Sequence, residues 1–424
     1  HGANCNQLLM LKLFTMATHD TPKQPIYKNK NLCIAPFTQV TYSPNGTASP
    51  CAYLGGESWT FKDKSLTEIW GSDEYNTLRT AFSNDEQHPT CTRCWREESL
   101  GKQSSRKLTM LQCKYKENLV AFITEDYKTG PRQINLRVGN LCNLRCRTCY
   151  STSSVTWAVE GKYYEIKNNL PQTRYTRHPD VIEFTDQQID EIFAATGNLR
   201  RLEFYGGEPL LDKPTLRLLE LLVESGRSKD VVLYYNTNAV TKPTKRHLEL
   251  WKHFAALEFN LSLDGIKEQF TYIRHPGDWN DVVEIADYLK KDVKEYCNIP
   301  VGVAVICTVS AMNVYYLPEM LAEFKQMELN YFLNLVTVPS YYNMKNLPEG
   351  AKQAVIERLQ TMPASDNVHL SSIINTLKAD IDTASWEDFK FWTREKDEYR
   401  KEKFADTFPE FYELIKKYDP SFTY

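Results

Sequence analysis

The stretch QINLRVGNLCNLRCRTCY (133–150) decides how the chain is read. QINLRV (133–138) reads as a strand, and Cys142-Asn-Leu-Arg-Cys146-Arg-Thr-Cys149 follows it directly. Three thiolates so close together can wrap one corner of a cubane cluster, each on a different iron. No fourth cysteine is local, so one iron is left for a substrate or cofactor; a purely electron-transferring [4Fe–4S] site takes four Cys ligands. Zinc is the competing reading, since Cys113 can in principle complete a tetrahedron, although no His lies near the loop. On the loop alone both readings stay open.

Downstream the pattern is strand then helix, repeated. Strands are expected at 199–206, 230–238, 257–265, 301–309 and 331–338, with helices near 212–226, 247–254, 282–289 and 317–327; a further helix running through Trp157 is expected behind the Cys loop. Six such units in this α/β chain predict a partial (β/α)6 TIM-like barrel over 131–345. Chemistry on such a sheet belongs at the carboxyl ends of the strands.

The ends of successive strands carry candidate residues. Gly206-Gly207-Glu208-Pro209 ends the second: two glycines let a ligand approach the backbone, and a carboxylate accepts from an ammonium group. Asn236-Thr237-Asn238 ends the third and Ser262-Leu263-Asp264-Gly265 the fourth, where alternation puts Ser262 and Asp264 on one side, suited to ribose hydroxyls. Arg274 comes shortly after, a bidentate partner for a carboxylate or a surface ion pair. Singly, each of these is more simply a turn or a helix cap; together at successive strand ends they form a pattern.

CxxxCxxC after the first strand, GGEP after the second and SLDG after the fourth resemble the radical S-adenosylmethionine (SAM) superfamily over about 133–340. The resemblance implies a [4Fe–4S] cluster on Cys142, Cys146 and Cys149 whose open iron chelates SAM. It implies that Gly206, Gly207 and Glu208 hold the methionine amino group, and that Ser262, Asp264 and Asn236 or Asn238 contact the ribose. Arg274 would meet the methionine carboxylate, and the segment from Val305 to Val309 would lie near the adenine. The family often has an aromatic residue just before the third Cys; here that residue is Thr148, and Tyr150 is the nearest aromatic. The implied reaction is reductive cleavage of SAM to a 5′-deoxyadenosyl radical that abstracts a substrate hydrogen.

Cys33, Cys51, Cys91 and Cys94 form a second set upstream. Asn45-Gly46 marks a hairpin in 43–51, and helical segments follow in 65–82. Over about 32–95, within an expected domain of 26–110, this region resembles the SPASM/twitch domains that hold auxiliary clusters. Four ligands imply one closed iron–sulfur cluster, with a zinc ribbon as the alternative. In the better-known relatives this domain follows the barrel, whereas here it precedes it. Cys113, Cys297 and Cys307 read as ordinary thiols, and Tyr341 and Tyr342 as substrate-mouth residues or an aromatic packing cluster.

The 424 residues, 42% apolar, 25% charged and net −3, are ordinary for a globular protein, and nucleic acid is not the default partner. No run has the length of a membrane span, and no signal peptide is read in the first residues. Eleven cysteines, an odd number without an export signal, fit ligand clusters in the reducing cytoplasm better than a disulfide framework. Residues 1–25 are expected to be a tag or leader. The region 346–424 is expected to be a helical tail, with the mixed charges of TREKDEYRKEKF (393–404) forming a solvated helix face.

The expected function is a radical SAM enzyme, leaning to peptide or protein modification and served by a reductant such as a flavodoxin or ferredoxin. Oxidation or rearrangement of a sugar or nucleotide is the alternative, and a non-enzymatic iron–sulfur or zinc-held binding protein is a third reading.

Overall fold

The computed structural model describes residues 29–51, 53, 54, 59–61, 64–99, 104–114, 126–171, 181–363 and 370–423. The expected leader, with Cys5, lies outside them, as does the side chain of Cys113. The eight strands are β1 (Gln39–Tyr42), β2 (Ala48–Ser49), β3 (Gln133–Arg137), β4 (Arg201–Tyr205), β5 (Val232–Thr237), β6 (Ala256–Ser262), β7 (Val301–Val309) and β8 (Asn330–Leu335). They form one open sheet in the order β2-β1-β3-β4-β5-β6-β7-β8. Strands β3 to β8 are the six expected from the sequence, all parallel.

The first edge was not legible. β1, from the upstream cysteine-rich region, pairs in parallel with β3, Val40 opposite Ile134 and Thr41 opposite Asn135. β2 folds back on β1 as the expected hairpin. The turn is closed by Gly46 at φ +79° and by Thr47 N–H donating to Asn45 Oδ1 at 3.1 Å. Helices α1 (Leu66–Trp70) and α2 (Asp73–Ser83) follow; Ser65 and Glu68 cap α1 reciprocally.

Strand alternation sorts the two faces of the sheet. Leu202, Phe204, Leu233, Tyr235, Leu257 and Phe259 are buried in the core shared with the helices. There Phe204, Tyr235 and Phe259 stack in sequence with centroids 4.7 and 5.7 Å apart. The other face is polar: Arg201 pairs with Glu203 at 2.5 Å and Glu258 at 2.6 Å, and its guanidinium lies 4.4 Å from the Tyr234 ring centroid.

The connecting helices include α3 (Trp157–Asn168), α4 (Asp186–Ala194), α5 (Pro214–Glu224), α6 (Lys245–Trp251), α7 (Trp279–Tyr288) and α8 (Leu317–Gln326). α3 begins at Trp157 instead of running through it. Side chains of Ser154 and Thr156 are spent on the carbonyl of Leu144, so the chain before Trp157 is committed to the Cys loop.

Beyond β8 the tail is helical, with α9 (Glu349–Gln360), α10 (Leu370–Leu377), α11 (Thr383–Arg400) and α12 (Pro409–Tyr418). The expected solvated face at 393–404 holds for Arg394, Glu398, Lys401 and Lys403, which are exposed, but not for Thr393, Glu395, Lys396, Asp397 and Phe404, which are buried. Glu395 and Asp397 are paired there with Lys167 and Arg147 instead of with water, while Lys396 meets a backbone carbonyl and a tyrosine hydroxyl.

His247 caps α6 from within: its ring nitrogen meets the Thr244 hydroxyl at 2.8 Å, and burial pushes its pKa down to about 4. Between that value and the unfolded value of about 6.5, the unfolded chain binds the extra proton. Stability therefore rises with pH across this window, by ~1.4 kcal/mol per unit at most. Urea unfolding between pH 4 and 7 is expected to show this slope, flattened in His247→Gln; an equal slope in both proteins refutes it.

Candidate active site at the carboxyl ends of the strands

The three cysteines of 142–149 sit on a loop whose backbone is tied on every side. Gly207 N–H donates to Gly139 O at 2.9 Å and Glu208 N–H to Leu141 O at 2.7 Å. Arg145 N–H donates to His275 O at 2.6 Å and Arg147 N–H to Ile273 O at 2.7 Å. Asn238 Nδ2 reaches Asn143 Oδ1 at 2.7 Å. The loop thus rests on the GGEP turn on one side and on 273–275 on another.

This contact gives the glycines their reason. Gly206 has φ +128°, and a Cβ on Gly207 would stand 2.2 Å from Leu141 O. The bare backbone of Gly207 is required for approach of the Cys loop. The Gly-Gly pair by itself suits the approach of a ligand; at Gly207 the Leu141 carbonyl takes that space.

Glu208 is buried, with one carboxylate oxygen accepting from Thr237 Oγ1 at 2.8 Å and the other from Asn238 N–H at 2.7 Å. Burial pushes its pKa up to about 7, against the pull of these hydrogen bonds. Glu208 therefore locks the end of β4 to the end of β5. Asp264 accepts from Thr308 N–H at 2.7 Å and pairs with Arg274 at 2.7 Å. Arg274 places a second guanidinium nitrogen 3.8 Å from Cys146 Sγ. The ends of β6 and β7 are joined in this way to the Cys loop.

Asn236 and Ser262 lie on the polar face, in the alternation that also carries Tyr234 and Glu258. Val305 and Val309 do not: both are fully buried in the hydrophobic core, on the opposite face of β7 from Ile306 and Thr308. Their side chains pack under the helices. Tyr150 is half-buried directly behind Cys149, its carbonyl 3.8 Å from that thiol. Tyr341 and Tyr342 are buried and pack on Trp392 and Phe389, the aromatic-cluster alternative. Cys297 and Cys307 are buried thiols in the core, as read.

Among the described residues every cysteine is a free thiol. Burial pushes Cys142 and Cys149 up to about 12 and raises Cys146 as well; Cys149 feels both of the others. Protonated thiols are what a buried cluster of sulfurs becomes without a cation, and a metal centre deprotonates them. Three thiols in mutual electrostatic reach, with Arg274 beside them, suit a larger, multi-iron group.

The upstream set is also brought together. Burial raises Cys33, and Cys51, Cys91 and Cys94 all add to it; burial pushes Cys91 up to about 12, with Cys51 and Cys94 contributing. Cys51 lies behind β2, and its charge is felt by Tyr205 at the end of β4. No helix among the described residues is long and apolar enough to cross a membrane.

Residues 136–307 match the model of the radical SAM superfamily, and residues 33–95 match that of SPASM, an iron–sulfur cluster-binding domain. The radical SAM cyclopropyl synthase TigE of Paramaledivibacter caminithermalis is 23% identical over 179 residues, 39% of this chain and 37% of that protein. Among solved structures, native anSMEcpe with bound AdoMet is 16% identical, covering 59% of this chain and 63% of that one at a TM-score of 0.37. Streptococcus suis SuiB bound to precursor peptide SuiA is 13% identical, covering 73% and 64% at 0.35. The chain spans well under half the length of TigE and less than two thirds of either solved chain.

Gly207→Ala is expected to displace the Cys loop, at a cost of about 1–3 kcal/mol for forced overpacking. A lowered melting temperature together with a reduced iron content after reconstitution checks it; wild-type values of both would show that the loop does not depend on this contact.

Proposed function

This chain carries a radical SAM domain behind an iron–sulfur cluster-binding SPASM domain, and from that premise we propose an enzyme that opens C–H bonds with a SAM-derived radical. The observation that carries the proposal is the convergence of the Cys142–Cys149 loop, the GGEP turn and the Asp264–Arg274 pair at one end of the sheet. Cys142, Cys146 and Cys149 would hold a [4Fe–4S] cluster with one open iron, and Cys33, Cys51, Cys91 and Cys94 an auxiliary cluster. When bound, cluster and SAM together supply a carbon radical by one-electron cleavage of the sulfonium.

The chain's own residues supply the setting. Arg274 is fixed by Asp264 and offers its cationic edge beside Cys146, where it would pair with a carboxylate of the cofactor. Asn236 and Ser262 present hydrogen-bonding groups on the polar face, suited to a ribose. Glu208, Asn238 and Gly207 act one step back, by holding the loop and strand ends in register. Val305 and Val309 back the site from the core.

A peptide or protein is the substrate class we favour, on the likeness of the upstream cysteine region to domains common among peptide-modifying relatives. The polar face, with Arg137, Tyr205, Asn236 and Asn334 towards the carboxyl ends of its strands, suits a substrate rich in amide groups. A sugar or nucleotide is the second reading, on the same polar lining. A low-potential flavodoxin or ferredoxin would deliver the electron.

Anaerobically reconstituted protein is expected to bind about eight irons per chain, and the Cys142→Ala/Cys146→Ala/Cys149→Ala variant about four. Reduced with dithionite and given SAM, the wild type should release 5′-deoxyadenosine and the variant none. Zinc in place of iron, or no 5′-deoxyadenosine from the wild type, defeats the proposal. Deuterated candidate peptides and sugars then identify the substrate by label recovered in 5′-deoxyadenosine.

A further inference from the structure

The C-terminal helix α11 reaches across the barrel and grips the Cys loop from the side opposite the GGEP turn. Arg147, between the second and third cysteines, is fully buried. One of its guanidinium nitrogens lies 2.6 Å from Asp397 Oδ1 and 2.6 Å from Glu402 Oε2. Asp397 also accepts from Tyr272 Oη at 2.7 Å and Phe404 N–H at 2.8 Å, and Glu402 pairs with His275 at 2.6 Å. Arg400 pairs at 3.0 Å with Glu160, both side chains fully buried, and donates to Arg145 O at 2.7 Å.

Lys396 is the odd member. It is buried, and no carboxylate among the described residues lies within salt-bridge distance of it. Its Nζ donates to Arg147 O at 3.2 Å and Tyr342 Oη at 3.0 Å, among the rings of Trp157, Tyr341 and Trp392. Burial, reinforced by Arg400 and Arg147, drives its pKa well below the ordinary lysine value. An apolar side chain in such a setting would be neutral or stabilising, so packing does not explain a lysine here.

The two carbonyls these side chains hold flank Cys146. A trans peptide points its N–H opposite to its C=O. Holding Arg145 O on Arg400 therefore aims the Cys146 N–H away from α11, where it interacts with its own thiol. Holding Arg147 O on Lys396 likewise aims the Thr148 N–H away from the helix. Hydrogen bonds to the sulfurs are one of the levers that set an iron–sulfur potential.

We propose that Lys396 and Arg400 are positioning residues that turn the Thr148 and Cys146 N–H groups onto the sulfurs of the cluster on Cys142, Cys146 and Cys149, raising the potential at which it accepts an electron. The C-terminal extension is on this account part of the radical site. The inference rests on the cluster assignment made above and adds a role for residues far downstream.

The test is an EPR-monitored redox titration of the reconstituted full chain, following the signal that SAM perturbs. Lys396→Met is expected to keep its iron and melt at or above the wild-type temperature, yet titrate at a lower potential. Arg400→Leu should fall in the same direction, and Arg400→Lys, which keeps a donor, should return towards wild type. If Arg400→Leu fails to fold because Glu160 loses its partner, Lys396→Met decides alone. A wild-type potential and line shape in Lys396→Met overturns the positioning role. A wild-type signal that ignores SAM overturns instead the cluster assignment beneath it.

Discussion

The approach of the Leu141 carbonyl to Gly207 is the contact on which the rest of the site depends. The Glu208 amide bonds that carbonyl, and a single added carbon at 207 would stand inside its van der Waals radius. Two chain segments about sixty residues apart thereby become one rigid surface. Once the loop and the turn are joined, Glu208 has nowhere to go but inward, where Thr237 and Asn238 satisfy it. Asn238 then reaches back to Asn143 and closes the circuit. The GGEP motif is in this sense an architectural device first, and its chemistry follows from the loop it holds.

The local part of this arrangement was legible in the sequence. Strands β3 to β8 announce themselves by short apolar runs punctuated by turns, and their ends carry the motifs, because strand direction alone fixes where a parallel sheet puts its chemistry. Sidedness was legible where alternation is counted from a known point, as for Ser262. At Val305 and Val309 the segment alone does not give it, because only parity separates the two faces. In a strand of period two, neighbouring residues of one segment serve opposite faces: Ile306 and Thr308 look one way, Val305 and Val309 the other.

What was not legible is long-range. Nothing in QVTY (39–42) says that it will lengthen the barrel sheet next to β3, since a strand's partner is set by topology and not by its own pattern. The upstream position of the cysteine-rich region makes the pairing natural: the chain enters the barrel through β3, so the free edge it meets is that of β3. Charged residues in 393–404 misled for a related reason. A helix with mixed charges has the same composition whether it faces water or a complementary set of buried charges, and only the partners, Arg147, Glu160 and His275, distinguish the cases.

Burying so many charges on a tail that could have been apolar is costly for stability, and the geometry suggests what is gained. Ion pairs and carbonyl-directed donors fix angles, whereas apolar contacts fix only distances. In the loop between Cys142 and Cys149 the side chains of Asn143 and Arg147 are tied to Asn238 and to Asp397 and Glu402. The rest of its orientation comes from outside, through backbone groups. The amides at 145 and 147 are taken by His275 and Ile273, and the carbonyls at 145 and 147 by Arg400 and Lys396. A loop held through alternating N–H and C=O groups cannot rotate a single peptide plane without breaking a bond on one face or the other. That constraint makes α11, more than two hundred residues downstream of the cysteines, as necessary to the loop's shape as the turn at Gly207.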